Sequence, residues 1–355
     1  MDSLEIKLGN RIISKNSEPY IIAEIGVNHE GSLEKAKELI DLAKKGGADA
    51  AKFQSYKAET LASKNSPAYW DTSKEPTLSQ YELFKKHDSF GEKEYIALAE
   101  HCKKVQIDFL STPFDDVAIE FLDPYVSFFK VASADLTCTP FLRKIAQKGK
   151  PVVLSVGSST IYEIEKAIKE LQDNGCKQLA LLHCILNYPC PDEYANINMI
   201  LGLEKAFPNH IIGYSDHTLP DDCMISLTTS YIKGAKILEK HFTFDKSLPG
   251  NDHYHAMDWK DLAKFKEVLK KVRSLEGKID KEPIQSEEKS RLNARRSIVL
   301  KRNLKSGEIL KESDLTYKRP AHGISPTYWD EVIGKKIRLD LEEDHVLKWV
   351  DLENS

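Results

Sequence analysis

The stretch Gly213-Tyr214-Ser215-Asp216-His217-Thr218, followed by Leu238-Glu239-Lys240-His241-Phe242-Thr243, governs the reading of this 355-residue chain. Each hexamer closes a short apolar run, His210–Gly213 or Ala235–Leu238, and continues into polar residues that include a histidine. Neighbouring strands of a parallel sheet lie about 4.8 Å apart, so histidines at the tips of consecutive strands would stand side by side. That span suits one metal ion held by two imidazoles, with positions left open for substrate.

Working outward, six more apolar runs precede these two: Tyr20–Ile25, Ala48–Phe53, Ile107–Leu110, Ser127–Ala132, Pro151–Val156 and Gln178–Cys184. Amphipathic segments alternate with them, such as Ser32–Lys45, Glu92–Lys104, Thr160–Asn174 and Asn198–Ala206. Ser32 is placed to cap the first of these and Gly46-Gly47 to end it. Alternating strands and helices call for parallel pairing, and eight such units predict an α/β fold of the (β/α)8 TIM-barrel type. A doubly wound open sheet is the alternative, weakened by the lack of a Gly-rich dinucleotide turn after the first strand. Between the second and third strands, residues 55–91 form a long insertion rich in Ser, Pro, Tyr and Trp, which reads as a lid or binding loop.

After about Leu275 the composition changes to short β-like pieces separated by turns, without a long helix. The reading divides the chain into a catalytic barrel at 1–285, a linker at 286–295 and a small β-rich domain at 296–355. A net charge of -4 offers no attraction to nucleic acid or an anionic membrane. No apolar run approaches the length of a membrane span, and the charged N-terminus lacks the apolar core of a signal peptide. The six cysteines form no CxxC pairs, so they read as reduced thiols of a cytoplasmic protein.

Nearly every expected strand ends in a polar or ionisable side chain, and this end of a barrel is where catalysis is built. Lys52 and Lys130, with the hydroxyls of Thr112, Ser133, Ser155 and Ser215, suit a small substrate carrying phosphate and carboxylate. Buried ammonium groups without an anion would be costly. Glu24 ends the first strand, and Glu239 shares a strand face with His241 by period-two alternation. A carboxylate beside a metal can take a proton from an attacking water or orient a metal ligand. Of the other histidines, His29 reads as a third ligand or a loop-shaping residue, and His183 as a core residue. His253 and His255 could bind metal but sit where substrate contact is expected, while His87, His101, His210 and His345 read as surface residues.

Together these residues resemble the sialic acid synthase family, which includes N-acetylneuraminate, legionaminate and pseudaminate synthases. The likeness rests on Ile22–His29, Lys52-Phe53-Gln54, Leu110–Phe114, Leu182-His183-Cys184, Gly213–Thr218 and Glu239–Thr243. The tail from Gly307 to Gly323 resembles the antifreeze-like (SAF) domain of that family. The resemblance implies condensation of phosphoenolpyruvate with an N-acetylated hexose to give a nine-carbon 2-keto acid and phosphate. It implies a divalent metal on His217 and His241: manganese, or alternatively magnesium or cobalt. It assigns phosphoenolpyruvate to Lys52, Thr112, Lys130, Ser133, Ser155 and Ser215, and the sugar to Glu24, Gln54, Tyr188, Asp252 and Arg319. Glu239, Glu24 and Lys52 are the implied catalytic groups. Arg319 would reach the active site of the other subunit in a domain-swapped homodimer.

The chain departs from the family pattern at Leu186, where polar residues are common, and at Ala134-Asp135, Val156-Gly157-Ser158, Asn251 and Arg295. These departures bear on the sugar more than on the reaction. A metal-dependent aldolase or epimerase acting on a phosphorylated sugar is the rival enzyme reading. A carbohydrate-binding protein is the non-enzymatic one.

Overall fold

A computed structural model of the chain describes residues 4–70, 72–73, 75–250 and 252–353, so the departure at Asn251 lies outside the described residues. The chain forms two compact units, Met1–Leu275 and Glu276–Ser355. A short antiparallel hairpin, β1 (Glu5–Leu8) and β2 (Arg11–Ser14), opens the first unit. Eight parallel strands follow: β3 (Tyr20–Gly26), β4 (Ala50–Ser55), β5 (Asp108–Pro113), β6 (Phe129–Val131), β7 (Val152–Ser155), β8 (Leu179–Cys184), β9 (Ile211–Asp216) and β10 (Ile237–His241). Their ladder order is β5-β4-β3-β10-β9-β8-β7-β6. Only β5 and β6 lack a recorded ladder between them, and they lie side by side. This is the expected TIM-type sheet, with all eight apolar runs in place.

The helices between the strands begin and end for local reasons. Ser32 Oγ accepts the backbone N–H of Lys35 at 3.3 Å, and Gly47, with φ of 95°, closes the helix Leu33–Gly46. Thr160 and Glu163 form a reciprocal capping box ahead of the helix Ile161–Asp173. The buried faces of these helices pack on the outer apolar residues of the strands in one continuous core.

One feature was not expected from the sequence. The hairpin lies across the N-terminal ends of the strands. Arg11 Nη1 meets Asp49 Oδ1 at 2.6 Å just before β4, and the backbone N–H of Lys7 reaches Gln178 Oε1 at 3.2 Å just before β8. Its turn requires Gly9, with φ of 57°, because a Cβ there would lie 1.8 Å from Asp108 Oδ2. The strands also run further than the apolar runs: β4, β5, β9 and β10 continue through Gln54, Thr112, Ser215 and His241. The backbone ladder persists there while the inward side chains change from core to site.

In the second unit β11 (Ser297–Leu300) pairs antiparallel with β12 (Leu315–Lys318). Ile298, Leu300, Leu315, Ile324, Ile337 and Leu347 belong to its separate apolar core. The segment expected to be a linker contains a short helix, Glu288–Ala294. Among the described residues no helix is long and apolar enough to cross a membrane, and all six cysteines are free.

Gly213 of β9 lies against Ile237 of β10. A Cβ there would lie 2.4 Å from Ile237 O and 2.9 Å from Ile237 Cβ, both on a strand that cannot swing away. Gly213→Ala is expected to lower the unfolding free energy by about 1–3 kcal/mol, as measured by urea titration of the full chain.

Candidate active site

The strand ends converge on a cavity of about 590 Å³ at the C-terminal end of the barrel. All thirteen expected site residues of the first unit line it: Glu24, Lys52, Gln54, Thr112, Lys130, Ser133, Ser155, Tyr188, Ser215, His217, Glu239, His241 and Asp252. Arg319 belongs to the second unit, exposed and directly after β12.

The floor is a cluster of alternating charges. Lys52 Nζ lies 2.6 Å from Glu24 Oε2 and 3.7 Å from Glu239 Oε2, and it donates to Thr112 Oγ1 at 3.1 Å. Lys130 Nζ lies 3.5 Å from Glu239 Oε1 and donates to Ser155 Oγ at 2.7 Å. Ser215 Oγ donates to Glu239 Oε1 at 2.9 Å, and Gln54 Nε2 to Glu24 Oε1 at 2.8 Å. All four charged groups are buried.

This arrangement separates the two acids. Burial raises the Glu239 carboxyl, but the lysines on either side outweigh it and leave Glu239 below its ordinary value. Burial dominates at Glu24, which is raised despite its contact with Lys52. Glu239 is therefore the ionised base of the pair and Glu24 the more readily protonated group. Lys130 is lowered by burial, whereas at Lys52 the attraction of Glu239 and Glu24 outweighs burial and raises it.

Above the floor stand the histidines. The His217 and His241 ring centroids are 5.4 Å apart. His217 Nδ1 lies 2.7 Å from Ile185 O, so Nδ1 carries the proton and Nε2 keeps its lone pair. Burial holds His217 at about 4 and His241 well below the ordinary imidazole range. Both are therefore neutral, the form that binds metal. His241 Nδ1 is buried with no hydrogen-bond partner, 3.6 Å from Asp252 Oδ2. His241, Asp252 and His255 bring their donor atoms within 4.8 Å of one another. Two neutral imidazoles, one of them with an unpartnered nitrogen, and a carboxylate suit a borderline divalent cation.

Several assignments change. Asp252 stands with the metal-type donors, and burial together with Glu24 raises its carboxyl to about 7. His255 belongs to that group too, whereas the sequence reading favoured substrate contact. Its partner in the HxH, His253, lines the cavity and is tied to Thr243 Oγ1 at 2.8 Å. His87 is half-buried and lines the cavity instead of lying on the surface. His29 stacks on Phe90 at 4.1 Å and accepts the Gly31 N–H, so it shapes its loop. His183 packs on Tyr214 and bonds Ala195 O at 2.9 Å, a satisfied core histidine.

At the departures, Leu186 lines the cavity. Asp135 also lines it, with one buried oxygen lacking a hydrogen bond and burial raising its carboxyl to about 6. The insertion supplies the wall near the mouth: Tyr56, Leu61, Tyr69, Leu83 and Phe84 are apolar or aromatic. Lys57 pins its base by donating to Asp88 O at 2.6 Å and Phe90 O at 2.8 Å.

The NeuB family profile matches residues 39–281, and the SAF domain profile matches residues 295–353. An uncharacterized protein of Methanocaldococcus jannaschii is 43% identical over 352 residues, covering 98% of each chain. The N,N'-diacetyllegionaminic acid synthase of Campylobacter jejuni is 38% identical, covering 92% of this chain and 98% of that one. The crystal structure of N-acetylneuraminic acid synthetase from Leptospira borgpetersenii superposes with a TM-score of 0.70 at 34% identity. It covers 81% of this chain and 95% of that one.

His29 makes a titration testable away from the charged floor. Burial holds it at about 4 in the fold, against 6.5 unperturbed, so the unfolded chain takes up a proton that the folded one refuses. Its contribution is intact above about pH 6.5 and is lost as the pH falls toward 4. Between pH 7 and pH 4.5, His29→Gln is expected to lose less unfolding free energy than wild type. The difference, on the order of 2–3 kcal/mol, is read by urea titration.

Proposed function

The chain belongs to the NeuB family and carries a SAF domain, and on that footing we propose that it condenses phosphoenolpyruvate with an N-acetylated hexose. The products are a nine-carbon 2-keto acid of the sialic type and inorganic phosphate. The observation that carries this reading is the floor, where two buried lysines and several hydroxyls face an ionised Glu239 below two neutral histidines.

Lys52, Lys130, Thr112, Ser133, Ser155 and Ser215 hold the phosphate and carboxylate of phosphoenolpyruvate. Lysine supplies the point charge and the hydroxyls the orientation. Carbon 3 then bonds to the sugar aldehyde carbon, leaving positive charge at carbon 2. His217 and His241 would hold a divalent cation, manganese in the first instance, which would supply Lewis-acid polarisation of the aldehyde. Water adds at carbon 2 and gives its proton to Glu239. The former aldehyde oxygen takes up that proton and becomes a hydroxyl; the carbon–oxygen bond to phosphate then breaks, phosphate leaves with the proton of the carbon 2 hydroxyl, and carbon 2 becomes the ketone. Glu24, Gln54 and Tyr188 orient the sugar, and Asp252, expected there as well, stands beside His241 among the metal-type donors. The apolar wall of Tyr56, Leu61, Leu83 and Phe84 favours a sugar whose substituents are acetamido methyls or a deoxy carbon over a phosphorylated one. The legionaminic acid synthase relative points the same way. On this reading the enzyme is a cytoplasmic homodimer, and the exposed Arg319 serves the sugar site of the other subunit.

The test is phosphate release by metal-stripped protein given phosphoenolpyruvate and a panel of N-acetylated mannose-type and 6-deoxy diacetamido sugars. Release is expected only with added Mn²⁺ and a matching sugar. A protein that binds Mn²⁺ yet releases no phosphate with any of them would sink the reading. Glu239→Gln is expected to lower kcat by about 10²–10⁴-fold, measured by the same assay at saturating substrates.

A further inference from the structure

We propose that the buried ion pair Asp216–Lys240 is a strut that sets the spacing of the His217 and His241 imidazoles. The proposal rests on reading those histidines as metal ligands. Asp216 and Lys240 are direct partners in the parallel register of β9 and β10. Each immediately precedes one of the histidines. Alternation along the strands turns Ser215, His217, Glu239 and His241 toward the cavity, and Asp216 and Lys240 to the other face.

On that outer face the pair is shut away from solvent, at 0% and 1% exposure, with Lys240 Nζ 2.8 Å from Asp216 Oδ2. The remaining hydrogen-bonding capacity goes to Tyr214 Oη, which donates to Asp216 Oδ1 at 3.0 Å, to Ser226 and to the His217 loop. Asp216 Oδ1 accepts the Thr218 N–H and Oγ1–H, both at 2.9 Å, and Lys240 Nζ donates to Thr218 O at 2.5 Å. Ser226 Oγ, from the helix Ile225–Ile232, donates to Asp216 Oδ2 at 2.7 Å. The peptide before Thr218 is thereby held by Asp216, and the one after it by Lys240, on the strand that bears His241.

Energetics argue against a purely stabilising role. A buried ion pair seldom outperforms apolar residues of similar volume, because desolvation cancels most of the attraction. What apolar residues cannot do is hold both groups of Thr218 and one register partner in fixed directions.

The test uses the full chain with Lys240→Met and with Asp216→Asn/Lys240→Met, the double variant leaving no unpaired charge in the interior. Mn²⁺ affinity of metal-stripped protein is measured by calorimetry, and the imidazole tautomers of metal-free protein by ¹⁵N–¹H correlation spectra. Thermal unfolding confirms that each variant folds. Mn²⁺ affinity is expected to fall about 10–100-fold, and His217 to lose its single Nδ1–H tautomer. A folded double variant with wild-type Mn²⁺ affinity and an unchanged His217 tautomer overturns the strut. Wild-type protein that binds no Mn²⁺ overturns the metal reading instead, and the tautomer comparison then decides the strut alone.

Discussion

The charge cluster of Glu24, Lys52, Glu239 and Lys130 is the constraint around which the barrel is organised. Each group comes from a different strand, β3, β4, β10 and β6, and each is buried. Formally the four sum to zero, which lets the interior hold them without an unpaired charge. No one of them can leave its strand tip without stranding another. The cluster therefore imposes a common height on the ends of β3, β4, β6 and β10, and the cavity above inherits that level floor.

The floor also explains why the two acids differ although both are buried beside lysine. Glu239 lies between two ammonium groups, whereas Glu24 faces one and shares its surroundings with Asp252. Proton affinity is thus divided by position in the sheet, not by residue type. A site that needs one acceptor and one reluctant anion obtains both from two identical side chains.

Much of this was legible in the sequence because a barrel writes its site at a regular address. Lys52, Lys130, Glu239 and His241 each follow an apolar run, and period two was enough to turn Glu239 and His241 the same way. The residues that escaped obey no period. His87 reaches the cavity from an insertion helix and His255 reaches the His241–Asp252 donors from a loop, and only the tertiary path of those segments brings them in. The hairpin β1–β2 was missed because four-residue strands interrupted by lysine and arginine give too short a pattern. Asp216 and Lys240 were given no role from the sequence. Their pairing depends on register, which one strand's pattern does not contain.

The hairpin carries a consequence for traffic. By lying across the starts of the strands it backs the lower end of the barrel, opposite the strand tips that line the cavity. A ligand held by Lys52 and Lys130 would then lie on the floor side of anything resting against the aromatic wall, and its order of arrival would follow from depth.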